Sequence, residues 1–578
     1  MKLGSKQLLV GILVVATYTA SATSRISLLD KNADIVFSIS SVTDVSEAIK
    51  HTSFAKLWND PQFQRALGEH DLEKSIKQSM SKDKSDEEVK LYWEELKMVK
   101  GALGLSANIS KKQFSLVAEM SKEDYERSLV MDRRLAELER ENGAKFSIHK
   151  ERYQGVDIYG HLYENKKDSN SWQTFIDGTV IMGSSKDWVK QCIALVKRSP
   201  ISGKKGAAPK VFVSVNIGSL LDQAVQEYEK KIAKMKGQMR NTPGMMPEYS
   251  PSKIVDALGL SALKKMTVSV QFNNDSMVFD SFLGIKRPMK GLFTLYDLSP
   301  SSTALQMPYA PKSILSYGVG RLNPAAFWRQ LPQMLKDALP PQMAQQANAT
   351  LMGSTAMLGI DPGRDLFANL DTQIVSISFD GQPEPESLYF IRLKNESVLK
   401  ESLKKMFDPN GMIRLQMGEK FKQEVFRGAD LYEFEQGETN GTFAVSAAAG
   451  YLVLGSGKAV RQYLRAIDSG NAANKAFYTS ALYHKLRKET PAQAMGYSTT
   501  DIGKYVKVFL SAMLDNPAIK MAAMNPKSGK ENPFPNFDMT KLPSAQYMAK
   551  FFGNSFDYIV PTAKGIKSHS VIYYGKNK

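Results

Sequence analysis

Hydrophobic patterns predict that each half of the chain opens with a strand followed by a helix. Residues 33–39 form a β-rich run, and 42–58 then carries apolar residues at helical spacing, namely Val45, Ile49, Phe54 and Leu57. In the second half, 310–317 is again strand-like. Asn323-Pro324 then begins a segment with a helical apolar stripe, Phe327, Leu331 and Leu335. The same pair of elements is therefore expected at both places.

A second pattern recurs with nearly constant spacing. Tyr-Gln-Gly-Val-Asp-Ile-Tyr at 153–159 returns as Phe-Arg-Gly-Ala-Asp-Leu-Tyr at 426–432, and each copy precedes an apolar strand ending in Gly-Ser-x-Lys. The offset between Asp157 and Asp430 is 430 − 157 = 273, and that between Gly183 and Gly455 is 455 − 183 = 272. A constant offset over this distance predicts an internal duplication.

The predicted element order in each unit is β-α-β-α-β-β-β-α, which is typical of an α+β fold with mostly antiparallel sheets flanked by helices. The expected boundaries are unit one at 23–287, a Pro- and Ser-rich linker at 288–311, and unit two at 312–578. A fainter strand and helix pair at 209–235 opens a second half within unit one.

Small apolar motifs and capping residues place two further elements. Leu103-Gly104-Leu105 and Leu358-Gly359-Ile360 are interpreted as equivalent motifs that precede strands at 114–118 and 374–377. Helices are expected next, with Ser121 and Asn395 as their N-caps.

The first 22 residues have the pattern of a secretory signal peptide. A basic head precedes an apolar run from Leu8 to Ala16 and the small-residue end Ala20-Ser21-Ala22. Cleavage is expected near Ala22. The alternative is an uncleaved anchor, although Leu8 to Ala22 is shorter than the ~20 residues that span a bilayer.

The cysteine content indicates the cellular compartment of the protein. The single cysteine, Cys192, excludes an intramolecular disulfide, and an exported chain without disulfides favours a bacterial envelope, in the periplasm or at the cell surface. Cys192 lies on an amphipathic pattern and is expected to be a small buried hydrophobe rather than a reactive thiol.

Positive charge is concentrated in the second half of each unit. The net charge is +17, and 197–240 alone contains ten Lys or Arg against three acidic residues. An anionic membrane surface or cell-wall polymer is the partner that these regions suggest, and a solvated face that aids solubility is the alternative. Base-stacking aromatics do not interleave the lysines, so specific nucleic-acid recognition is not expected.

The segments that resemble catalytic or metal-binding motifs lack the residue spacing that these motifs require. Gly455-Ser456-Gly457-Lys458 lacks the Gly and the Ser or Thr that a phosphate loop needs, and is interpreted as a strand-to-helix turn. The six histidines have no metal-ligand spacing, and no Gly-x-Ser-x-Gly elbow is present. We therefore expect no catalytic residues, cofactor or metal.

Asp157 and Asp430 are the acidic residues that recur. A carboxylate at the start of a strand more often caps turn amides than acts in catalysis, so turn capping is expected. The candidate ligand contacts are these two aspartates together with Tyr159 and Tyr432.

Four short motifs carry a family resemblance: the Asn59-Asp60-Pro61 helix ending, the Leu-Gly-Leu motifs, the Gly-x-Asp-x-Tyr strand and the Gly-Ser-Gly-Lys turn. Through them the chain resembles a family of exported bacterial proteins that is catalogued only as a domain of unknown function. The resemblance implies no activity. The sequence thus predicts a non-catalytic envelope protein with a binding or structural role. The alternatives are an exported hydrolase whose site is assembled from distant residues, and a carrier of lipids or other hydrophobic ligands.

Overall fold

The computed structural model has an α+β fold that divides into two compact units. It describes residues 28–30, 32–67, 85–143, 145–164, 170–198, 210–238, 250–296, 309, 311, 313–381, 385–408, 411, 418–436, 441–470, 479–515 and 541–575. Unit one contains the chain up to Leu220 and Lys265–Ser281, and unit two contains Leu221–Lys264, Phe282–Lys527 and Ser544–Lys578. These compact units follow different boundaries from the expected repeats 23–287 and 312–578, since 221–264 and 282–287 group with unit two. Met1–Ala22 lies outside the described residues.

The elements up to the first unit boundary alternate between strands and helices. They are β1 (Ile35–Ile39), α1 (Val42–Lys50), α2 (Ser53–Trp58), α3 (Pro61–Leu67), α4 (Asp86–Met98), β2 (Leu103–Asn108), β3 (Gln113–Glu119), α5 (Lys122–Glu141), β4 (Phe146–Tyr153), β5 (Val156–Tyr163), β6 (Ser171–Ile176), β7 (Thr179–Gly183), α6 (Lys186–Arg198) and β8 (Lys210–Asn216). Next come α7 (Ile217–Gln238), α8 (Pro251–Ala257), β9 (Leu263–Phe272) and β10 (Ser276–Ile285).

The strands of unit one form an antiparallel sheet in the order β9-β8-β1-β2-β3-β7-β6-β5-β4. Both faces are covered by apolar side chains. Phe37 and Ile39 pack with Val42, Val45 and Tyr125 on one face. On the other face, α6 buries four residues at i, i+3, i+4 and i+7 spacing: Val189, Cys192, Ile193 and Val196. This spacing is the apolar stripe that a helix needs to pack on a sheet.

Unit two continues with a longer set of elements. They are β11 (Ile314–Arg321), α9 (Pro324–Ala338), α10 (Pro341–Leu358), β12 (Leu370–Phe379), β13 (Glu386–Leu393), α11 (Glu396–Met406), β14 (Phe421–Phe426), β15 (Ala429–Gln436), β16 (Gly441–Ala448), β17 (Tyr451–Ser456), α12 (Gly457–Asp468), α13 (Ala481–Glu489), β18 (Gly496–Asp501), α14 (Ile502–Asp515), α15 (Ala545–Ala549), β19 (Phe552–Thr562) and β20 (Gly565–Tyr574). A 3₁₀ turn, Gly291–Tyr296, precedes them within the expected linker.

The sheet of unit two has the order β20-β19-β18-β11-β12-β13-β17-β16-β15-β14, and all of these pairs are antiparallel. On one face, α12 buries Val460, Tyr463 and Leu464. On the other, α11 buries Leu399 and Leu403. Full burial of each such side chain contributes about 1.5–3 kcal/mol.

Two-residue turns with positive φ close four of the hairpins. Gln154-Gly155 joins β4 to β5, and Arg427-Gly428 joins β14 to β15, with φ of 50° and 78° in the first turn and 52° and 76° in the second. The β6–β7 and β16–β17 hairpins use Asp177-Gly178 and Ala449-Gly450 in the same way. Positive φ at both central residues defines the type I′ turn, whose twist matches that of the flanking strands.

The predicted element order has five strands up to the last helix of each unit, whereas the structure has seven, β1–β7 in unit one and β11–β17 in unit two. Leu103-Gly104-Leu105 is not a lead-in to a strand but the start of β2, which pairs with β3. Leu358-Gly359-Ile360 is not its equivalent, because α10 ends at Leu358 and Gly359 has a φ of +66°. In unit two β13, which pairs with β12, is missing from the prediction, and in each unit four strands rather than three precede the last helix. The expected helix at 42–58 is divided at Thr52, whose hydroxyl caps α2.

Candidate functional site

Asp157 and Tyr159 lie on β5, on the face of the unit-one sheet that packs against α5. The Asp157 carboxylate is paired with the Lys150 ammonium on β4 at 2.8 Å. The Lys150 hydrogen bond holds the pKa of Asp157 below its ordinary value. Lys150 also lies over the Tyr159 ring, 5.3 Å from its centroid. The expectation that Asp157 caps the turn is wrong, because its partner in the described part of the chain is a lysine on the neighbouring strand.

Asp430 and Tyr432 occupy the matching positions on β15. The Asp430 carboxylate faces the Lys404 ammonium of α11 at 3.4 Å, so it too pairs with a lysine instead of the turn. Tyr432 is 1% exposed and stacks within a cluster of aromatic rings that includes Phe407 and Phe421. Burial, together with the Asp430 charge, raises the pKa of the Tyr432 hydroxyl to about 12. Tyr432 is therefore a core residue and is not placed to contact a ligand.

The Gly-Ser-x-Lys segments are helix starts, as expected. The Ser456 hydroxyl accepts a hydrogen bond from the Ala459 amide at 3.2 Å and caps α12. The Ser185 hydroxyl accepts from the Trp188 amide at 3.3 Å at the start of α6. These hydroxyls satisfy helix amides that have no other partner in the first turn. The helices expected after Ser121 and Asn395 are capped by those side chains in the same way.

The basic segment of 197–240 includes α7, a helix of 22 residues whose packing is unusual. From Ile217 to Met235, no side chain is buried. The helix nevertheless has an apolar stripe at heptad spacing, made of Leu221, Val225, Tyr228, Ile232 and Met235. Tyr228 is 56% exposed and Met235 is 36% exposed. An amphipathic helix normally buries such a stripe, so α7 presents a half-exposed apolar face.

Lysines cluster near the C-terminal end of the same helix. Lys230, Lys231 and Lys234 are all exposed, and the acidic residues Asp222, Glu227 and Glu229 precede them along the helix. The arrangement combines a positive segment with an apolar stripe, which is the pattern of a helix that lies in the interface of a membrane.

The helix that follows β18 in unit two has a similar surface. In α14, Tyr505 is 39% exposed and Phe509 is 52% exposed, four residues apart on one face. Lys504 and Lys507 are exposed on the same helix. Sequence reasoning identified the basic segments but missed the apolar stripes of α7 and α14. The heptad spacing was visible in the sequence, whereas the exposure of the two stripes was not.

Other candidate chemistry is limited within the described ranges. No group of three His, Cys, Asp or Glu side chains among them is arranged to hold a metal ion. Cys192 is 1% exposed, and burial raises the pKa of its thiol to about 12, as expected of a small core residue. Of the helices that the structure describes, none combines the length and apolarity needed to cross a membrane.

Comparisons with known proteins add little. No protein-family model matches the chain, and no curated protein matches it. Solved structures that match include crystal form I of TP0453, which is 8% identical, covers 46% of this chain and 80% of that one, and has a TM-score of 0.21. Crystal form III of TP0453 is 8% identical, covers 48% and 85%, and has a TM-score of 0.22. Similarity at this level identifies neither a family nor a function.

Proposed function

We propose that this chain is an exported bacterial envelope protein with a non-catalytic role, and that it binds an anionic lipid surface through α7. The observation that carries the proposal is the unburied helix, whose apolar stripe is accompanied by exposed lysines near one end. A lipid surface is favoured over a cell-wall polymer because a polymer would engage the charge but leave Tyr228, Ile232 and Met235 in water.

We also propose that the chain arose by internal duplication. The support is that nine consecutive strands of each sheet follow the same order, with the Gly-x-Asp-x-Tyr strand in the same position next to the edge. The type I′ turns also recur at matching places: the β4–β5 and β6–β7 turns of unit one match the β14–β15 and β16–β17 turns of unit two. α7 follows β8 and α14 follows β18 directly, so α14 is the counterpart of the proposed lipid-binding helix.

The energetics of binding divide into two contributions. Each lysine near an anionic surface contributes about 1 kcal/mol, and this attraction is screened within a Debye length, which falls from ~10 Å at 0.1 M salt to ~3 Å at 1 M. The apolar stripe contributes by burial and is insensitive to this screening. Aromatic side chains such as Tyr228 are favourable at the level of the lipid headgroups.

The test is co-sedimentation with vesicles of phosphatidylglycerol and phosphatidylcholine at increasing salt. Reversal of Lys230, Lys231 and Lys234 to Glu should weaken binding about 100-fold or more at low salt, from ~1 kcal/mol for each lost lysine. The matched control reverses Lys90, Lys97 and Lys122, which are also exposed but lie among acidic residues; Lys97 pairs with Glu94 at 3.1 Å and Lys122 with Glu126 at 3.7 Å.

A second variant, Tyr228→Ser with Ile232→Ser, should lose binding at every salt concentration. Equal losses from the two lysine sets, or absence of binding at low salt, would contradict the proposal and leave the charge as an aid to solubility. Self-association of the protein through the apolar stripe of α7 would also contradict the proposal. Light scattering without vesicles would then show a dimer of the parent protein and a monomer of the Tyr228→Ser, Ile232→Ser variant.

A further inference from the structure

The strands at the edges of the two sheets carry different residues on their outer sides. β4 pairs with β5 and β14 pairs with β15, and among the residues that the structure describes neither edge strand has a second neighbour. Lys150 and Arg152 of β4 match Gln423 and Val425 of β14, since 423 − 150 = 273 and 425 − 152 = 273. Two cations of unit one are therefore replaced in unit two by an amide and an aliphatic side chain.

The backbone of β14 presents hydrogen-bonding groups to solvent at these positions. In the type I′ turn at 427–428, Phe426 and Ala429 form the first hydrogen-bonded pair of the hairpin. Because hydrogen-bonded and other pairs alternate along an antiparallel ladder, the amides of Gln423 and Val425 point away from β15. The Val425 side chain is 72% exposed, and Gln423 is exposed too.

An open edge of this kind is a template for another strand. Natural edges are usually blocked by charged side chains, above all lysine. β4 follows this rule, because Lys150 and Arg152 are exposed where its backbone points outwards. β14 does not, so its edge is left able to pair.

The residues of β14 are complementary to a second copy of the same strand. An antiparallel partner related by a two-fold axis at Gln423 places Lys422 opposite Glu424 of the second copy, and Val425 opposite Phe421. Opposite charges and apolar side chains directly across a ladder favour pairing, and each match occurs twice in a two-fold interface. At β4 the equivalent axis would place the Lys150 side chains of the two copies against each other.

The charged pair remains accessible to a partner. Lys422 is 66% exposed although it contacts Glu435 at 2.9 Å. Glu424 is 46% exposed although it contacts Arg461. Each side chain can therefore reach an opposite charge on a strand added at this edge.

We propose that β14 is the interface of a homodimer, in which the edge strands of two copies pair antiparallel about a two-fold axis at Gln423. A second copy is favoured over a strand of another protein because one register matches both the charged and the apolar residues of this edge. The strand has six residues, so the interface is small and we expect weak, micromolar association. The inference is independent of lipid binding by α7.

The test is sedimentation velocity of the full chain at increasing concentration, without lipid. The parent should shift from monomer to dimer. Gln423→Lys with Val425→Arg gives β14 the residues that β4 already has at the same positions, so the fold should tolerate them. This variant should associate about tenfold or more weakly, since the like charges meet across the axis. The control is Ile148→Lys, which changes an exposed apolar residue of β4 and should leave the dimer unchanged.

Cysteine cross-linking tests the register. In the proposed dimer the two Gln423 Cα atoms form a hydrogen-bonded pair about 5.5 Å apart, within the ~4.4–6.8 Å that a disulfide spans. Mild oxidation should therefore link Gln423→Cys chains. Val425→Cys chains should not be linked, because the two Cα atoms lie four residues apart along the ladder, about 14 Å. Cys192 is 1% exposed and should not contribute.

A parent that stays monomeric, a dimer that persists in Gln423→Lys with Val425→Arg, or equal cross-linking at 423 and 425 would overturn the proposal. Should that double variant not fold, Gln423→Pro serves instead, since it removes only an outward amide and should also give monomers. The Tyr228→Ser, Ile232→Ser variant should still dimerise, because this interface does not include α7. Loss of lipid binding and loss of the dimer are therefore separate results.

Discussion

Replacing Gly259 by Ala should destabilise unit two far more than the same change at Gly450. The two glycines have nearly equal φ values, +79° and +81°. At Gly259 an added Cβ would lie 2.1 Å from the carbonyl oxygen of Lys290, because Leu258-Gly259 packs backbone to backbone on Lys290-Gly291. The Leu292 amide donates to the Leu258 carbonyl at 3.1 Å across this contact. At Gly450 the added Cβ meets no described atom within 4 Å.

The two substitutions share one cost and differ in another. Left-handed backbone costs a residue with a Cβ about 1–2 kcal/mol, and this applies at both positions. Overpacking against backbone atoms adds about 1–3 kcal/mol, and this applies only at Gly259. The expected loss in the free energy of unfolding is thus about 1–2 kcal/mol for Gly450→Ala and about 2–5 kcal/mol for Gly259→Ala.

Urea unfolding followed by circular dichroism measures this difference. Both glycines lie in unit two, so both substitutions act on the same unfolding transition. The midpoint should fall further for Gly259→Ala while the slope stays the same, since the surface exposed on unfolding is unchanged. Equal losses at the two positions, or a larger loss at Gly450, would refute the reasoning from the close backbone contact.

Three further outcomes are expected. Burial and the Asp132 charge raise the pKa of Glu95 from 4.5 to about 8. The stability that protonated Glu95 contributes is therefore complete below pH 4.5 and is lost as the pH rises towards 8, so Glu95→Gln should be more stable than the parent at pH 7.5, with little difference at pH 4. Cys192 should react with iodoacetamide only after unfolding, and fast alkylation of the native protein would contradict its buried position. Asp157→Asn and Asp430→Asn should each change stability by less than about 1 kcal/mol in denaturant unfolding, because their lysine partners are exposed.

Local features were accessible from the sequence. The Ser121 and Asn395 caps and the strand-to-helix turn at 455–458 were predicted because each depends on three or four neighbouring residues. The stripe that buries Cys192 was also visible, since helical spacing repeats within two turns. These elements are encoded by residues that are close together in the chain.

Pairing and burial were decided by the tertiary structure. β2 and β13 were missed because their ladders depend on strands elsewhere in the chain, and the Leu-Gly-Leu pattern occurs in a strand at 103–105 but at a helix end near Leu358. Asp430 was expected to cap a turn and instead faces Lys404 of another helix.

The sequence by itself determined the helix caps, the strand-to-helix turns and the α+β class, because short-range sterics and hydrophobic spacing specify them. Only the tertiary structure decided which side chains meet. Asp132 and Gln173 are 41 residues apart and become partners only when α5 packs on β6. The half-exposed stripe of α7 likewise depends on how other elements pack around the helix, and no local spacing encodes the position of a distant element.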